Sequence, residues 1–199
     1  MALLAHALCT VAQATNWIRP IVDPITNDTE EAVLEQLINA VTERFEREVG
    51  RPIKGREATY YLDGTGRMDI LLPHTPVVEI ADMWSLDEDR SVSETYIVLD
   101  GYYFVTPAGR LYLAQQGPFP KGIQNIKIAA TFGWSTVPTD INVGACQWVA
   151  DWFKAWVNKR DNIESINFSG VSAFIRSEPI PLKVKPLIDL YRCVAGASV

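Results

Sequence analysis

The spacing of apolar residues along this chain changes character three times, and each change marks a new kind of element. Between Asp28 and Gly50 the positions Leu34, Leu37, Ile38, Val41, Phe45 and Val49 recur at helical intervals, while Glu35, Glu43, Arg44, Glu46 and Arg47 fall on the other side. A single apolar stripe on a 3.6-residue period predicts an amphipathic helix. Asp28-Thr29-Glu30-Glu31 supplies an N-cap with a glutamate three positions on, and Gly50 is placed to end the helix. A shorter helix is expected before it, with Thr10 as N-cap, Gln13 completing a capping box, and Val11, Ala14, Trp17 and Ile18 on one face. The Pro-containing run Arg19 to Asn27 connects the two.

From Glu57 the period drops to two. Thr59-Tyr60-Tyr61-Leu62 and Met68-Asp69-Ile70-Leu71-Leu72 flank Asp63-Gly64-Thr65-Gly66, which predicts a hairpin. Further strands are expected at Val77 to Leu86, Tyr96 to Leu99, Tyr102 to Val105, Arg110 to Leu113 and Asn125 to Phe132, divided by turn residues such as Asp100-Gly101 and Pro107-Ala108-Gly109. Ile126, Ile128, Ala130 and Phe132 alternate with polar or small neighbours, so the last strand has one face on a core.

Helical spacing returns over Pro138 to Arg160, where Ile141, Ala145, Trp148, Val149, Trp152, Phe153, Trp156 and Val157 form a broad stripe. Asp161 to Glu178 is polar and only intermittently apolar, which reads as a loop or loose hairpin. Pro179 and Pro181 introduce a short final helix, Leu182 to Tyr191. The fold class is α+β: a helical bundle body of two N-terminal helices, one long C-terminal helix and a short final helix, with an inserted antiparallel β block. A single domain, 1–199, divides into 1–55, 56–136 and 137–199 on this reading.

Composition narrows the choices. With 199 residues, 48% hydrophobic and 21% charged, the chain is an ordinary globular sequence with room for a substantial core but not for two enzymes. No apolar run reaches the roughly 18 residues of a spanning helix, and no membrane partner is expected. Met1 to Ala14 imitates a signal peptide, yet it carries no Lys or Arg before Arg19, so the first-helix reading is preferred. Cys9, Cys146 and Cys193 are odd in number and widely spaced, which suggests buried hydrophobes in a reducing compartment and neither a disulfide framework nor a zinc knuckle. A net charge of −6 disfavours tight nucleic-acid binding.

Catalytic signatures are missing from the sequence. His6 and His74 lack a neighbouring cysteine, carboxylate or second histidine at a metal-ligand interval, and there is no G-x-S-x-G, P-loop, G-x-G-x-x-G or H-E-x-x-H. No catalytic residue, cofactor or metal is assigned, and the chain is read as a non-enzyme. Asp87-Glu88-Asp89 with Glu94 reads as a solvated loop. Tyr60, Tyr61, Trp84, Tyr96, Tyr102, Tyr103 and Tyr112 offer the alternative of a glycan-binding or glycan-processing accessory, although aromatics in strands more often belong to a core or an interface.

Two segments stand out as assembly surfaces. Trp148, Trp152 and Trp156 recur every four residues; core packing accounts for most of that stripe, and part of it is expected to face a neighbouring subunit. Lys183, Lys185 and Arg192 lie around Leu182, Leu187, Leu190 and Tyr191, an amphipathic peptide that reads first as a last helix capping its own core and second, by its basic side in an acidic molecule, as a docking segment.

The landmarks also come in a recognisable order. Gly50-Arg51-Pro52, Tyr61-Leu62-Asp63-Gly64-Thr65-Gly66, Leu71-Leu72-Pro73-His74-Thr75-Pro76-Val77, Gly117-Pro118-Phe119-Pro120-Lys121-Gly122, Thr131-Phe132-Gly133-Trp134 and Val137-Pro138-Thr139-Asp140 follow one another, with Pro181 and Leu187 to Arg192 at the end. From about Thr10 to Arg192 the chain resembles the head-tail connector (adaptor, or head-completion) proteins of long-tailed bacteriophages and gene transfer agents. The resemblance implies a virion protein made in the host cytoplasm. It implies a ring, usually of twelve copies, below the portal protein, offering a docking surface to the tail terminator or stopper protein while DNA passes through the channel. It also implies that the C-terminal segment reaches the portal, by a helix-in-groove contact. Ser165 to Gly170 matches the family's pattern only loosely.

Overall fold

A computed structural model describes residues 2–18, 28–86, 95–96, 103–113, 117–157, 163–168, 171–176 and 180–192. The elements run α1 (Val11–Ile18), α2 (Asp28–Val49), β1 (Arg56–Gly64), β2 (Asp69–Leu71), β3 (Val77–Ser85), β4 (Thr95–Tyr96), β5 (Tyr103–Val105), β6 (Arg110–Leu113), β7 (Gly122–Phe132), α3 (Thr139–Val157), β8 (Ile163–Phe168), β9 (Val171–Arg176) and α4 (Lys185–Tyr191). Helices and antiparallel sheets together make the fold α+β, as the patterning predicts. Two compact units emerge. One joins Met1–Gly50 to Val137–Val194, and the other is built from Arg51–Thr136.

In the helical unit, the capping box at α1 forms as expected. The Gln13 backbone N–H donates to Thr10 Oγ1 at 3.2 Å and the Thr10 N–H donates to Gln13 Oε1 at 2.9 Å. Ala14 and Ile18 are buried, whereas Trp17 on the same face remains 39% exposed. The α2 stripe holds completely: Leu34, Leu37, Ile38, Val41, Phe45 and Val49 are all buried. Gly50 ends α2 with φ of 78° and donates its N–H to the Glu46 carbonyl at 2.8 Å, the left-handed closure that glycine adopts without a Cβ penalty. The Asp28 side chain and the connector 19–27 lie outside the described residues.

One expectation for α2 is corrected. Glu46, assigned to the solvent side by its charge, is only 7% exposed, and Asn39 and Thr42 are buried as well. Thr42, Glu46 and Val49 lie at i, i+4 and i+7, so they continue a second buried row beside the first. That row meets an irregular segment preceding α1. Leu4 N–H donates to Asn39 Oδ1 at 2.9 Å, Asn39 Nδ2 donates to the Ala2 carbonyl at 3.2 Å, and Leu8 N–H donates to Thr42 Oγ1 at 3.2 Å. From α3, Asn142 Nδ2 donates to the Leu8 carbonyl at 2.7 Å. Apart from one turn bond, Ala7 N–H to the Leu4 carbonyl at 3.0 Å, the backbone groups of this segment named above are satisfied by side chains of α2 and α3.

Over 163–176, left open as a loop or loose hairpin, β8 and β9 pair antiparallel from Ile163↔Arg176 to Phe168↔Val171. The final helix is shorter than its apolar pattern. Residues 181–184 form a turn, with Val184 and Lys185 N–H groups donating to the Pro181 carbonyl at 2.8 and 3.0 Å, and α4 follows.

In the β unit, four strands order as β1-β7-β3-β4 and three as β2-β6-β5. Both sheets feed one core: Ile80, Met83, Ile126, Ile128, Ala130 and Phe132 come from the first, Ile70 and Leu111 from the second, and Leu72 and Phe119 from connections. The expected hairpin between Thr59–Leu62 and Met68–Leu72 does not form. β1 instead pairs with β7, in register from Arg56↔Phe132 to Leu62↔Ile126, while β2 joins β6 in the other sheet. The nine-residue β1 finds in the eleven-residue β7 a partner of matching length, which three-residue β2 cannot offer.

The Asp-Gly turn is used as a corner between sheets. Gln124 N–H donates to Asp63 Oδ1 at 2.7 Å, Gly64 N–H donates to Asn125 Oδ1 at 2.8 Å, and a Cβ on Gly64 would lie 1.8 Å from the Pro120 carbonyl oxygen. Register breaks in β3 between Val77 and Glu79 and between Ile80 and Asp82 bring Ile80 and Met83, three residues apart, onto the core side while Val78 is left 46% exposed.

Candidate functional site

The tryptophan row on α3 divides. Trp148 is fully buried and Trp152 nearly so, both within the helical unit. Trp148 meets Phe45 of α2 at a centroid distance of 6.4 Å and Trp152 edge-on at 5.6 Å. The Arg44 guanidinium lies over both indoles, at 5.7 and 6.0 Å, so a residue assigned to the polar side serves as a lid on the aromatic row. Core packing therefore accounts for Trp148 and Trp152. Trp156 is half-buried, 5.4 Å from Phe153, and Val157 beside it is 36% exposed. The far end of α3 is where the stripe reaches the unit's surface.

The C-terminal segment also separates into two sets. Val184 and Ile188 are buried, and half-buried Leu187 packs so closely on α3 that a Cβ at Gly144 would sit 2.6 Å from its Cδ1. Tyr191 donates its hydroxyl proton to the Asp140 carboxylate, 2.9 to 3.0 Å from the two oxygens. Arg192 reaches the Glu48 carbonyl at 3.3 Å and lies 3.7 Å from the Asp189 carboxylate. These residues fasten α4. Left facing solvent are Lys183 and Lys185, with Leu182 87% and Leu190 71% exposed. Leu182 and Leu190 are thus bare on a fastened element, with exposed Lys183 and Lys185 close to the first.

In the β unit the proposed tyrosine platform is not a continuous surface. Tyr60 turns into the core, 5.4 Å from Phe132 and 5.7 Å from His74, both edge-on. Tyr61 points out at 54% exposure, in register with Lys127, which in turn stands opposite Trp84; the Lys127 ammonium lies 4.5 Å from the centre of that indole. The side chains of Tyr96, Tyr102 and Tyr103, and the cluster Asp87-Glu88-Asp89 with Glu94, lie outside the described residues. Asp69 forms a 2.5 Å ion pair with Arg110 across β2 and β6.

His74, flanked by Pro73 and a cis Thr75-Pro76 bond, packs against Tyr60 and Phe132. Burial, and secondarily the Arg56 charge, hold its imidazole below the ordinary histidine range. Its Nδ1 is buried without a hydrogen-bond partner among the described residues. This half-buried histidine packs at the edge of the core. Among the described residues no cluster of three His, Cys, Asp or Glu side chains is arranged to hold a metal ion, and no helix is long and apolar enough to cross a membrane.

Sequence reasoning missed the buried polar row on α2 and the asymmetric exposure of the C-terminal leucines. Asn39 and Thr42 do interrupt the polar face with uncharged side chains, the one visible hint. Nothing in the C-terminal pattern distinguishes exposed Leu190 from half-buried Leu187.

The fold is shared with a chain in the virion of the native gene transfer agent (GTA) particle, at 19% identity and a TM-score of 0.64, covering 100% of this chain and 96% of that one. A chain in the neck of the empty GTA particle computed with C6 symmetry matches with the same identity, score and coverage. A chain in the neck of the native GTA particle computed with C12 symmetry matches at 17% identity and 0.60, again over 100% and 96% of the two chains. No curated protein sequence matches the chain. The family model described as "Head completion protein" matches residues 8–194, nearly the whole length, and the chain therefore belongs to the head completion protein family.

Proposed function

We propose that this protein is a ring adaptor of about twelve copies that joins the portal protein to the tail terminator or stopper and extends the channel through which DNA passes. Family membership over residues 8–194 carries the reading, supported by a fold shared with chains of GTA necks that were computed with C6 and C12 symmetry. The helical bundle body and the inserted β block act as one adaptor domain. Its work is geometric: contacts between copies close a collar, and the remaining faces join two different machines.

Subunit contact is assigned to the far end of α3, through Trp156, with Trp148 and Trp152 as a rigid backing that holds it in place. Portal docking is assigned to the C-terminal segment. Leu182, Lys183, Lys185 and Leu190 present the face, and Leu187, Tyr191 and Arg192 hold it to the unit. The net charge of −6 suits an acidic lumen that repels DNA phosphates and lets the duplex slide. Deleting residues 179–199 is expected to abolish portal-bound rings, read by electron microscopy of particles assembled with the variant. Recovering portal-bound rings from that deletion removes the docking assignment, and a positive lumen in the assembled ring removes the electrostatic one.

A further inference from the structure

Cys9 and Cys146 come from opposite parts of the sequence, yet they meet inside the helical unit. Each is a free thiol, 3% and 1% exposed respectively. Two observations place them near one another. The two buried thiols are close enough to shift one another's titration. One helical turn away, Asn142, four residues before Cys146 on the same face of α3, holds the carbonyl of Leu8, the residue before Cys9, at 2.7 Å. Cys9 itself ends the irregular segment that Asn39, Thr42 and Asn142 fasten through its backbone.

The pair is chemically unequal. The neighbouring Cys9 holds the Cys146 thiol below the ordinary cysteine range against the opposing effect of burial. The neighbouring Cys146, reinforced by burial, pushes the Cys9 thiol up. Cys146 is thus the better nucleophile and Cys9 the group that keeps its proton.

We propose that Cys9 and Cys146 form an oxidisable dithiol that hydrogen peroxide closes to an intrachain disulfide, stapling the N-terminal segment to α3. The Cys146 thiolate attacks one peroxide oxygen, the O–O bond breaks, and with one proton the other oxygen leaves as water, giving a sulfenic acid. The Cys9 sulfur then attacks the Cys146 sulfur. The S–O bond breaks and hydroxide leaves as a second water with the Cys9 proton, so two thiols and one peroxide give one disulfide and two waters. The cross-link ties the segment that lacks secondary structure of its own to the longest-range partner it has, constraining the unfolded chain across most of its length. This inference does not depend on the ring reading.

The test exposes the purified full-length chain to hydrogen peroxide, blocks free thiols by alkylation, and maps non-reduced peptides by mass spectrometry. A Cys9–Cys146 linked peptide is expected, lost on reduction, forming about tenfold faster in the folded chain than in denaturant because the folded chain holds the sulfurs together. In Cys9→Ser, a sulfenic acid trapped on Cys146 by a dione reagent is expected in place of the cross-link. With alkylation carried out in denaturant after the peroxide is removed, the proposal is overturned if both thiols are still free, if linkage runs only to Cys193, or if Cys146 advances to sulfinic acid uncrosslinked. Because the native chain alone decides the matter, a poorly folding variant leaves it testable.

Discussion

The two units bury their apolar side chains by different means. The β unit has an apolar core: Ile70, Leu72, Ile80, Met83, Leu111, Phe119, Ile126, Ile128 and Phe132 make it, and the strand ladders take up most of the backbone, with Asp63 and Asn125 bonding to it only at the corner between sheets. The helical unit threads polar groups through its interior, because the segment before α1 has no ladder or helix to take up its N–H and carbonyl groups. Asn39, Thr42 and Asn142 do that instead. Burying a polar side chain is tolerable when it replaces water for a backbone group that has nowhere else to bond. One unit is therefore specified mainly by shape and strand register, the other by shape together with a small set of directional bonds.

That contrast can be broken by substitution. The largest expected effect is on packing, where the units should respond alike: Trp148→Ala in one and Phe132→Ala in the other each remove a large, fully buried ring and should cost about 3 to 5 kcal/mol in denaturant unfolding. A much smaller loss at Trp148 would mean that its indole is only loosely held. Gly64→Ala tests the β unit's shape dependence, since its Cβ would strike the Pro120 carbonyl oxygen at the corner between sheets. About 3 kcal/mol is expected, with no such cost for Ala at exposed Gly117.

The next effect belongs to the helical unit alone. Asn39→Leu should cost about 1 to 3 kcal/mol by orphaning the Leu4 N–H and Ala2 carbonyl, and hydrogen exchange at Leu4 should accelerate; an apolar gain instead would mean the pins are dispensable. Thr10→Ala, removing one half of the capping box, should cost about 1 kcal/mol, with Gln13→Ala non-additive because the two bonds are reciprocal.

The smallest effect sharpens the comparison by pH. His74 has a folded-state pKa below its ordinary 6.5, so the unfolded chain takes up the proton first as pH falls. Its contribution is full above about pH 6.5 and declines below it until the folded-state value is passed. His74→Phe should flatten that slope in urea midpoints measured from pH 7.5 to 5, and an unchanged slope would show that the imidazole takes up its proton alike in the folded and unfolded chain.

Much of this was legible in advance where the signal is local. The α2 stripe, the Thr10–Gln13 box and the Gly50 stop each rest on contacts within a few residues, so spacing alone reports them. The Asp63–Gly66 turn shows the limit. Its residue types are those of a hairpin, but an Asp-Gly step turns the chain equally well at a corner, and the choice depended on β7, some sixty residues downstream, whose length and alternation match β1. The candidate surfaces behaved likewise: the Trp148, Trp152 and Trp156 row is visible as a period, but only its packing on Phe45 and Arg44 separates what is enclosed from what reaches the surface.

What this chain's amino acids settled unaided were the places where it coils, extends and turns, and the order of landmarks that marks its family. Those depend on torsional preference and near-neighbour contact. Which strands became partners, which polar residues were drawn inside, which leucines of the last segment stayed bare and which two thiols met were decided by the folded arrangement. Each is a contact between residues far apart in sequence, whose energy exists only once other elements have set the distance between them.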